Sequence, residues 1–273
     1  MKNIAIFIAV IFCFQAFGQR KPKIKGNKSV IEVREELPPF SAIELRDDLD
    51  ITLQKASSEG YSITADDNLI DVLKFEVEDS ILVISSYYKI TAKKKLGITV
   101  NYNYIEALTM QDGRIEMKDI VSSEQLYVNT FGSSKLQLNA NAPFVSLNME
   151  GNSSGDFNID SDSLSMVLKD RIDVGIYAVS DSSVLKMSEN ASAKFEGTAD
   201  TFTINLYGNA NLKAEKLEAA SVFATLEESP NARINAYKDF ELSSRGSSKT
   251  YFYGAAKIVL IDFLDTSQLH REK

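Results

Sequence analysis

Two stretches of the chain, LYVNTFGSSKLQL (residues 126–138) and VSLNMEGNSSGDFNI (residues 145–159), decide the fold class. In each, a short run of alternating apolar and polar residues leads into a turn that contains glycine, and a second alternating run follows. Such alternation is typical of β-strands that bury one face. The second stretch repeats the pattern of the first after 19 residues, which indicates an internal repeat.

The repeat extends from Tyr104 to the region of Tyr253 and includes eight aligned turns. These turns are Asp112-Gly113, Phe131-Gly132, Glu150-Gly151, Asp170-Arg171, Glu189-Asn190, Tyr207-Gly208, Glu227-Glu228 and Arg245-Gly246. Their second residues are 19, 19, 20, 19, 18, 20 and 18 positions apart. A unit this short cannot bury its apolar side alone, so we expect successive units to stack over a common core.

The stacking predicts a column of equivalent core residues. The column is Val128, Leu147, Val167, Ile204 and Leu242, and Lys186 interrupts it. Six of the eight turns carry Gly or Asn at the position where a left-handed backbone costs least, whereas Arg171 and Glu228 do not. The sequence therefore predicts an all-β protein, a right-handed parallel β-helix with coils of about 19 residues. A propeller needs about 40 residues for each blade, and a sandwich has no even period of this length.

The regions that flank the regular coils (residues 104–254) are less regular. Residues 37–102 alternate like strands and either continue the solenoid or cover its first coil. A short helix is expected at residues 66–71, capped by Asp66 or Asp67, and a tight turn at Asp79-Ser80. Residues 257–264 are strongly apolar and are expected to close the last coil, and residues 265–273 to form a frayed tail.

The start of the chain resembles a secretory signal. Lys2 precedes an apolar run that ends in small residues, so residues 1–18 are interpreted as a signal peptide of an exported protein. Cys13 is the single cysteine and lies inside this run, so no disulfide or thiolate metal site is expected in the mature chain. Residues 19–36 form a lysine-rich leader that we expect to be disordered.

The charge distribution limits the classes of partner. From Ser29 onward the chain carries 24 basic and 38 acidic residues. A negative body repels nucleic acid and anionic lipid, so both are disfavoured as partners. No apolar stretch is long enough to span a membrane as a helix, and the mature chain is expected to have no transmembrane segment.

Four segments, residues 40–43, 49–53, 61–71 and 81–84, carry a family resemblance. They read FSAI, LDITL, YSITADDNLID and ILVI. With these segments the chain, from about Leu37 to Leu260, resembles the auto-transporter adhesin head GIN domain family (DUF2807). The resemblance implies an exported parallel β-helix of the kind found in Bacteroidetes, and it brings no catalytic residues. The turns at Asp170-Arg171 and Glu227-Glu228 lack the glycine that is usual in the family.

Enzymatic chemistry has few candidate residues. His270 is the single histidine and lies in the expected frayed tail, so a Ser-His-Asp triad and a His-based zinc site are both disfavoured. A lyase-like group at Lys169, Asp170, Arg171 and Asp173 is the strongest candidate, because a carboxylate and a base side by side suit proton abstraction. The alternative is a solvated corner with a structural role.

Two further groups are candidate binding sites. Asp156, Asp160, Asp162 and Asp173 either bind calcium or form a solvated acidic face, and no contiguous calcium loop supports the first interpretation. Tyr87 and Tyr88 lie near Tyr102, Tyr104, Lys89 and Lys93-Lys94-Lys95. This group either forms a platform for a sugar or peptide or protects a sheet edge.

The leading functional hypothesis is a non-enzymatic interaction module of the cell envelope, periplasmic, surface-exposed or secreted. Its partner would be a glycan, an envelope protein or a host surface, and no cofactor is expected. An extracellular polysaccharide lyase and an envelope component without a ligand are the alternatives.

Overall fold

The computed structural model describes residues 21–272, which form 22 strands and one short helix. The predicted signal peptide and Cys13 lie outside the described residues. The N-terminal strands are β1 (Lys23–Lys25), β2 (Val30–Glu36), β3 (Ala42–Leu45), β4 (Asp50–Lys55), β5 (Gly60–Asp66), β6 (Leu73–Glu78), β7 (Ile81–Ser86), β8 (Lys89–Ala92) and β9 (Leu96–Tyr102), with helix α1 (Asp67–Ile70) between β5 and β6. The strands that follow are β10 (Ala107–Met110), β11 (Arg114–Ser122), β12 (Gln125–Thr130), β13 (Lys135–Asn141), β14 (Phe144–Met149), β15 (Ser154–Leu168), β16 (Asp173–Met187), β17 (Ser192–Leu206), β18 (Asn211–Leu226), β19 (Asn231–Ser244), β20 (Lys249–Tyr253), β21 (Lys257–Phe263) and β22 (Gln268–Arg271).

The strands stack in parallel as a β-solenoid with two long flanks. Flank A contains the strands that precede each turn, namely β3, β10, β12, β14, the second halves of β15 to β19, and β21. Flank B contains the strands that follow each turn, namely β4, β11, β13, the first halves of β15 to β19, β20 and β22. The predicted fold class is confirmed. Each coil hydrogen-bonds to the next, so the backbone polar groups of the interior coils are paired.

The core column is continuous, which corrects the predicted one. From Val128 the residues in register are Leu147, Met166, Leu185, Ile204, Ala224 and Leu242, and all of them are buried. Val167 and Lys186 pair with each other one position later and face outward. The predicted core position was one residue too late in these two coils. Because side chains alternate between the two faces of a strand, a shift of one residue exchanges buried and exposed positions. Lys186 therefore does not interrupt the core.

The turns repeat more regularly than the sequence alignment suggested. Within residues 21–272, each of nine turns that lead from flank A to flank B has a residue with a positive φ angle: Gly113, Gly132, Gly151, Asp170, Glu189, Gly208, Glu228, Gly246 and Asp265. Asp170 and Glu189, rather than Arg171 and Asn190, adopt the left-handed conformation. The alignment had favoured Asn over Glu because Asn tolerates this conformation better. The stacking of identical turns outweighs that local preference.

The N-terminal part both continues the solenoid and covers its end. Strands β7 and β9 lie parallel to β3 and β4 and so add one more coil. Strands β5 and β6 then pair antiparallel with β9 and β7, and β2 pairs antiparallel with β5. The expected helix is present as α1 and the Asp79-Ser80 turn joins β6 to β7, but Asp66 at the helix N-terminus makes no side-chain capping hydrogen bond.

The described parts of the leader and the tail, residues 21–36 and 265–272, contain strands where disorder was expected. The leader predicted over residues 19–36 contains β1 and β2, and the tail predicted over residues 265–273 contains β22. In each case a neighbouring strand forms backbone hydrogen bonds with the segment, and amino-acid composition does not predict such pairing. The apolar residues 257–264 were expected to close the last coil. They form β21, a flank A strand that leaves Ile261 62% exposed.

Candidate functional site

A depression on flank B is centred on Gly175. Outward-facing residues of three successive coils pair in the order Asp156, Gly175 and Lys194. Because Gly175 has no side chain, the surface is lower at the middle coil. Two adjoining depressions of about 260 and 420 Å³ share this floor. We call this feature the Gly175 groove and define it by Gln137, Asp156, Asp173, Gly175, Tyr177, Lys194 and Glu196.

Tyr177 forms one wall of the Gly175 groove. It lies two residues after Gly175 on the same face of β16, between Asn158 and Glu196 of the adjacent coils. Tyr177 is 52% exposed. An exposed tyrosine that protrudes from a polar sheet is a flat, amphipathic contact surface.

The charged groups of the groove are partly neutralised by each other. Lys194 Nζ lies 2.7 Å from Glu196 Oε1, and Lys216 Nζ lies 3.5 Å from the same oxygen. The hydrogen bond from Lys194 lowers the pKa of Glu196, and the reverse interaction raises the pKa of Lys194. Asp156 and Asp173 have no cationic group within 4.0 Å among residues 21–272.

The groove combines hydrogen-bonding side chains with one exposed aromatic ring. Sugar hydroxyl groups donate to carboxylates such as Asp156 and Asp173, and they accept from and donate to amides such as Gln137. The Tyr177 ring offers a flat face for the C–H groups of a sugar ring. The groove is shallow and open, unlike the deep pockets that hold drug-sized ligands.

The residues of the predicted lyase-like group lie apart from this groove, except for Asp173. Lys169, Asp170 and Arg171 belong to the turn between the flanks, and Asp173 is the first residue of β16 on flank B. Asp170 Oδ2 accepts a hydrogen bond from the backbone N–H of Gly151, at 3.1 Å. Asp265 makes the equivalent bond to Gly246 at 2.9 Å, so the aspartate has a structural role in joining turns.

The four aspartates considered for calcium separate into two pairs. Asp156 and Asp173 line the Gly175 groove, and Asp160 and Asp162 lie beside the corner that leads back to flank A. Asp160 accepts a hydrogen bond from Asn141 Nδ2 at 3.2 Å. Within residues 21–272, no group of three or more His, Cys, Asp or Glu side chains is positioned to hold a metal ion.

The tyrosines considered for a binding platform differ in exposure. Tyr102 is 1% exposed and belongs to the core, so of the two alternatives for this tyrosine the structural role applies. Burial and the charge of Asp119 raise its pKa to about 12. Tyr87 and Tyr88 are exposed between β7 and β8, beside the lysines that follow.

The comparisons with known proteins agree with the fold. The family model described as "Putative auto-transporter adhesin, head GIN domain" matches residues 39–256. The chain belongs to this family, DUF2807. The resemblance predicted from residues 37–260 is therefore confirmed. No curated protein matches this GIN domain.

Solved structures from Parabacteroides share the solenoid. One, titled a "putative adhesin" from Parabacteroides merdae, has a TM-score of 0.70 at 14% identity and covers 92% of this chain and 100% of its own. A "putative adhesin" from Parabacteroides distasonis has a TM-score of 0.66 at 14% identity, with 91% and 99% covered. A "putative lipid binding protein" from the same species has a TM-score of 0.64 at 18% identity, with 92% and 100% covered. At these identities the likeness establishes the fold alone.

Sequence reasoning missed Gly175, Tyr177 and Lys194. A signal was present, because Asp156, Gly175 and Lys194 are successive positions of the 19-residue period. The sequence did not reveal which of the alternating positions face outward, and this decides whether a glycine makes a depression in the surface. Within residues 21–272, no helix is long and apolar enough to cross a bilayer.

Proposed function

We propose that this GIN domain is an exported, non-enzymatic, adhesin-like module that binds carbohydrate in the Gly175 groove. The observation that carries the proposal is the exposed Tyr177 beside Gly175, which has no side chain and forms the floor of the groove. Carboxylates and an amide line the groove around this floor. The signal-like residues 1–18 support export to the periplasm, the cell surface or the medium. Membership of an adhesin family supports an interaction role.

A binding role suits the groove better than catalysis does. General acid–base catalysis favours a group whose pKa lies near the working pH. The interaction with Lys194 moves the pKa of Glu196 below its ordinary value, away from that range. Lys194 is held as a cation by the same pair, which makes it a hydrogen-bond donor and a poor base.

A rigid solenoid also suits recognition of an extended polymer. Flank B repeats its outward positions at every coil, about 4.8 Å apart, so polar groups recur along one line. Gln137, Asp156 and Lys194 lie on the same line as Gly175. We infer that a saccharide chain binds along flank B, with one ring against Tyr177.

The test is binding of the purified protein to a glycan array, followed by titration of the best ligand. Tyr177→Ala removes the stacking surface, and Gly175→Val fills the floor of the groove. We expect Tyr177→Ala to bind about fivefold more weakly, because one stacked aromatic contributes on the order of 1 kcal/mol. We expect Gly175→Val to bind more weakly because its side chain occupies the floor of the groove. Tyr237→Ala is the matched control, since Tyr237 is also 52% exposed and lies outside the groove.

Two results would contradict the proposal. Undiminished glycan binding by both groove variants would place the site elsewhere on the molecule. Turnover of a polysaccharide that is lost in Asp170→Ala or Lys169→Ala would instead support the lyase hypothesis.

A further inference from the structure

A strongly basic surface lies at the N-terminal end of a chain whose net charge is −8. It consists of residues 21–28 and 87–95, and we call it the basic flap. Its lysines are Lys21, Lys23, Lys25, Lys28, Lys89, Lys93, Lys94 and Lys95, and all eight are exposed. In the chain, β8 lies between β7 and β9, the two strands that form the additional coil at the N-terminal end of the solenoid. The basic flap is located at this end.

Strand pairing brings the two halves of the flap together. Strand β1 lies parallel to β8 in a separate two-stranded sheet, with Lys23 opposite Lys89. Ile24 pairs with Ile90, and both are half-buried against the body. Because side chains alternate along a strand, Lys23 and Lys89 share the outer face. Lysines that are 66 positions apart in the chain therefore form one surface.

Most of this positive charge is not neutralised within the protein. Lys21 pairs with Asp47 at 2.5 Å, and Lys93 lies 3.8 Å from Asp50. Across residues 21–272, the other six lysines have no carboxylate oxygen within 4.0 Å. Asp66 is the nearby buried acid, and its Oδ2 accepts the backbone N–H of Lys94. A cluster of like charges without partners creates a local positive potential that attracts anions.

Two tyrosines extend the basic flap. Tyr87 is 58% exposed, and Tyr88 beside it is also exposed. Tyrosine is enriched at membrane–water interfaces, where its ring contacts the acyl boundary and its hydroxyl contacts headgroups. Exposed lysines of the two-stranded sheet, with adjacent exposed tyrosines, fit an anionic membrane surface.

We propose that the basic flap docks the protein onto anionic lipid headgroups of a membrane. After residue 28 and outside the basic flap the chain is acidic and is repelled by the same surface, so attraction is confined to the flap. The overall charge disfavours anionic lipid, but the folded chain gathers its lysines where they act together.

The test is sedimentation of the purified protein with phosphatidylcholine vesicles that contain or lack phosphatidylglycerol. Wild type is expected to bind only the phosphatidylglycerol vesicles, and less at high salt. The triple variant Lys23→Ala, Lys25→Ala and Lys89→Ala is expected to partition about 100-fold more weakly, because each lysine near an anionic surface contributes about fivefold. Thermal unfolding of the variant verifies that it is folded.

Two controls make the result specific. Lys238→Ala combined with Lys249→Ala and Lys257→Ala removes the same charge from exposed positions outside the flap, and it is expected to bind vesicles like wild type. Tyr87→Ser with Tyr88→Ser keeps the charge and is expected to weaken vesicle binding. Equal loss in both lysine variants, no binding to phosphatidylglycerol vesicles, or binding only to a soluble polyanion such as dextran sulfate would overturn the proposal.

Discussion

Substitution of Gly132 by alanine tests whether the stacked turns control stability. Gly132 has φ +60° in the turn between β12 and β13. An L-residue in this left-handed conformation costs about 1 to 2 kcal/mol. A Cβ atom here would also lie 2.3 Å from the carbonyl oxygen of Gln111, one coil earlier. That oxygen belongs to the backbone, so the coils must separate to relieve the contact.

The steric contact adds to the conformational cost. Hydrogen bonds hold the two turns together, from Phe131 N–H to Met110 and from Lys135 N–H to Gly113. Forcing extra volume into such a packed site costs about 1 to 3 kcal/mol. The combined loss for Gly132→Ala is therefore about 2 to 5 kcal/mol.

Gly208→Ala is the matched control for Gly132→Ala. Gly208 has φ +67°, but its added Cβ would approach the backbone of Glu189 no closer than 3.0 Å. We expect this variant to lose only the conformational cost of about 1 to 2 kcal/mol. Glu189 and Glu228 already carry side chains in the same conformation, so the position itself accepts a side chain.

Urea unfolding followed by far-UV circular dichroism measures both variants. The expected order of stability is wild type, then Gly208→Ala, then Gly132→Ala. The reasoning fails if the two variants lose equal stability, or if Gly132→Ala stays within about 0.5 kcal/mol of wild type.

The other predictions concern buried and turn residues, all measured by urea unfolding. Tyr102→Phe is expected to stabilise by about 1 kcal/mol, because the buried hydroxyl has no hydrogen-bond partner within residues 21–272. The pKa of Tyr102 is about 12 in the folded protein and about 10 when unfolded, so the unfolded state loses its proton first as pH rises from 10 to 12. Wild type should therefore lose stability over this pH range, and Tyr102→Phe should lose less. An identical loss in both would count against burial as the cause of the raised pKa. Leu147→Ala is expected to cost about 2 to 5 kcal/mol and exposed Val184→Ala about 0.5 or less; similar costs would contradict the assigned core. Asp170→Ala should cost about 1 to 2 kcal/mol by losing its bond to the Gly151 N–H, whereas Asp170→Gly should cost less, because glycine relieves the left-handed conformation; the reverse order would refute this role.

The repeat could be identified from the sequence because every coil of a solenoid has the same local pattern of apolar and polar residues. Val128 and Leu147 were placed correctly, since alternation and turn glycines agree in their coils. Val167 and Lys186 were placed wrongly, because neither coil has a glycine at its turn to set the alignment. A single-residue error in a strand exchanges its inner and outer faces.

The sequence by itself determined the fold class, the period of the coils and the family. Alternation and period are local properties, and the apolar side of each unit can be buried only by stacking. The tertiary structure alone decided the surfaces. The pairing of β1 with β8 gathered lysines from distant segments, and the register of three coils placed Gly175 between Asp156 and Lys194. These arrangements depend on contacts between residues far apart in the chain, and the local pattern of hydrophobicity carries no information about them.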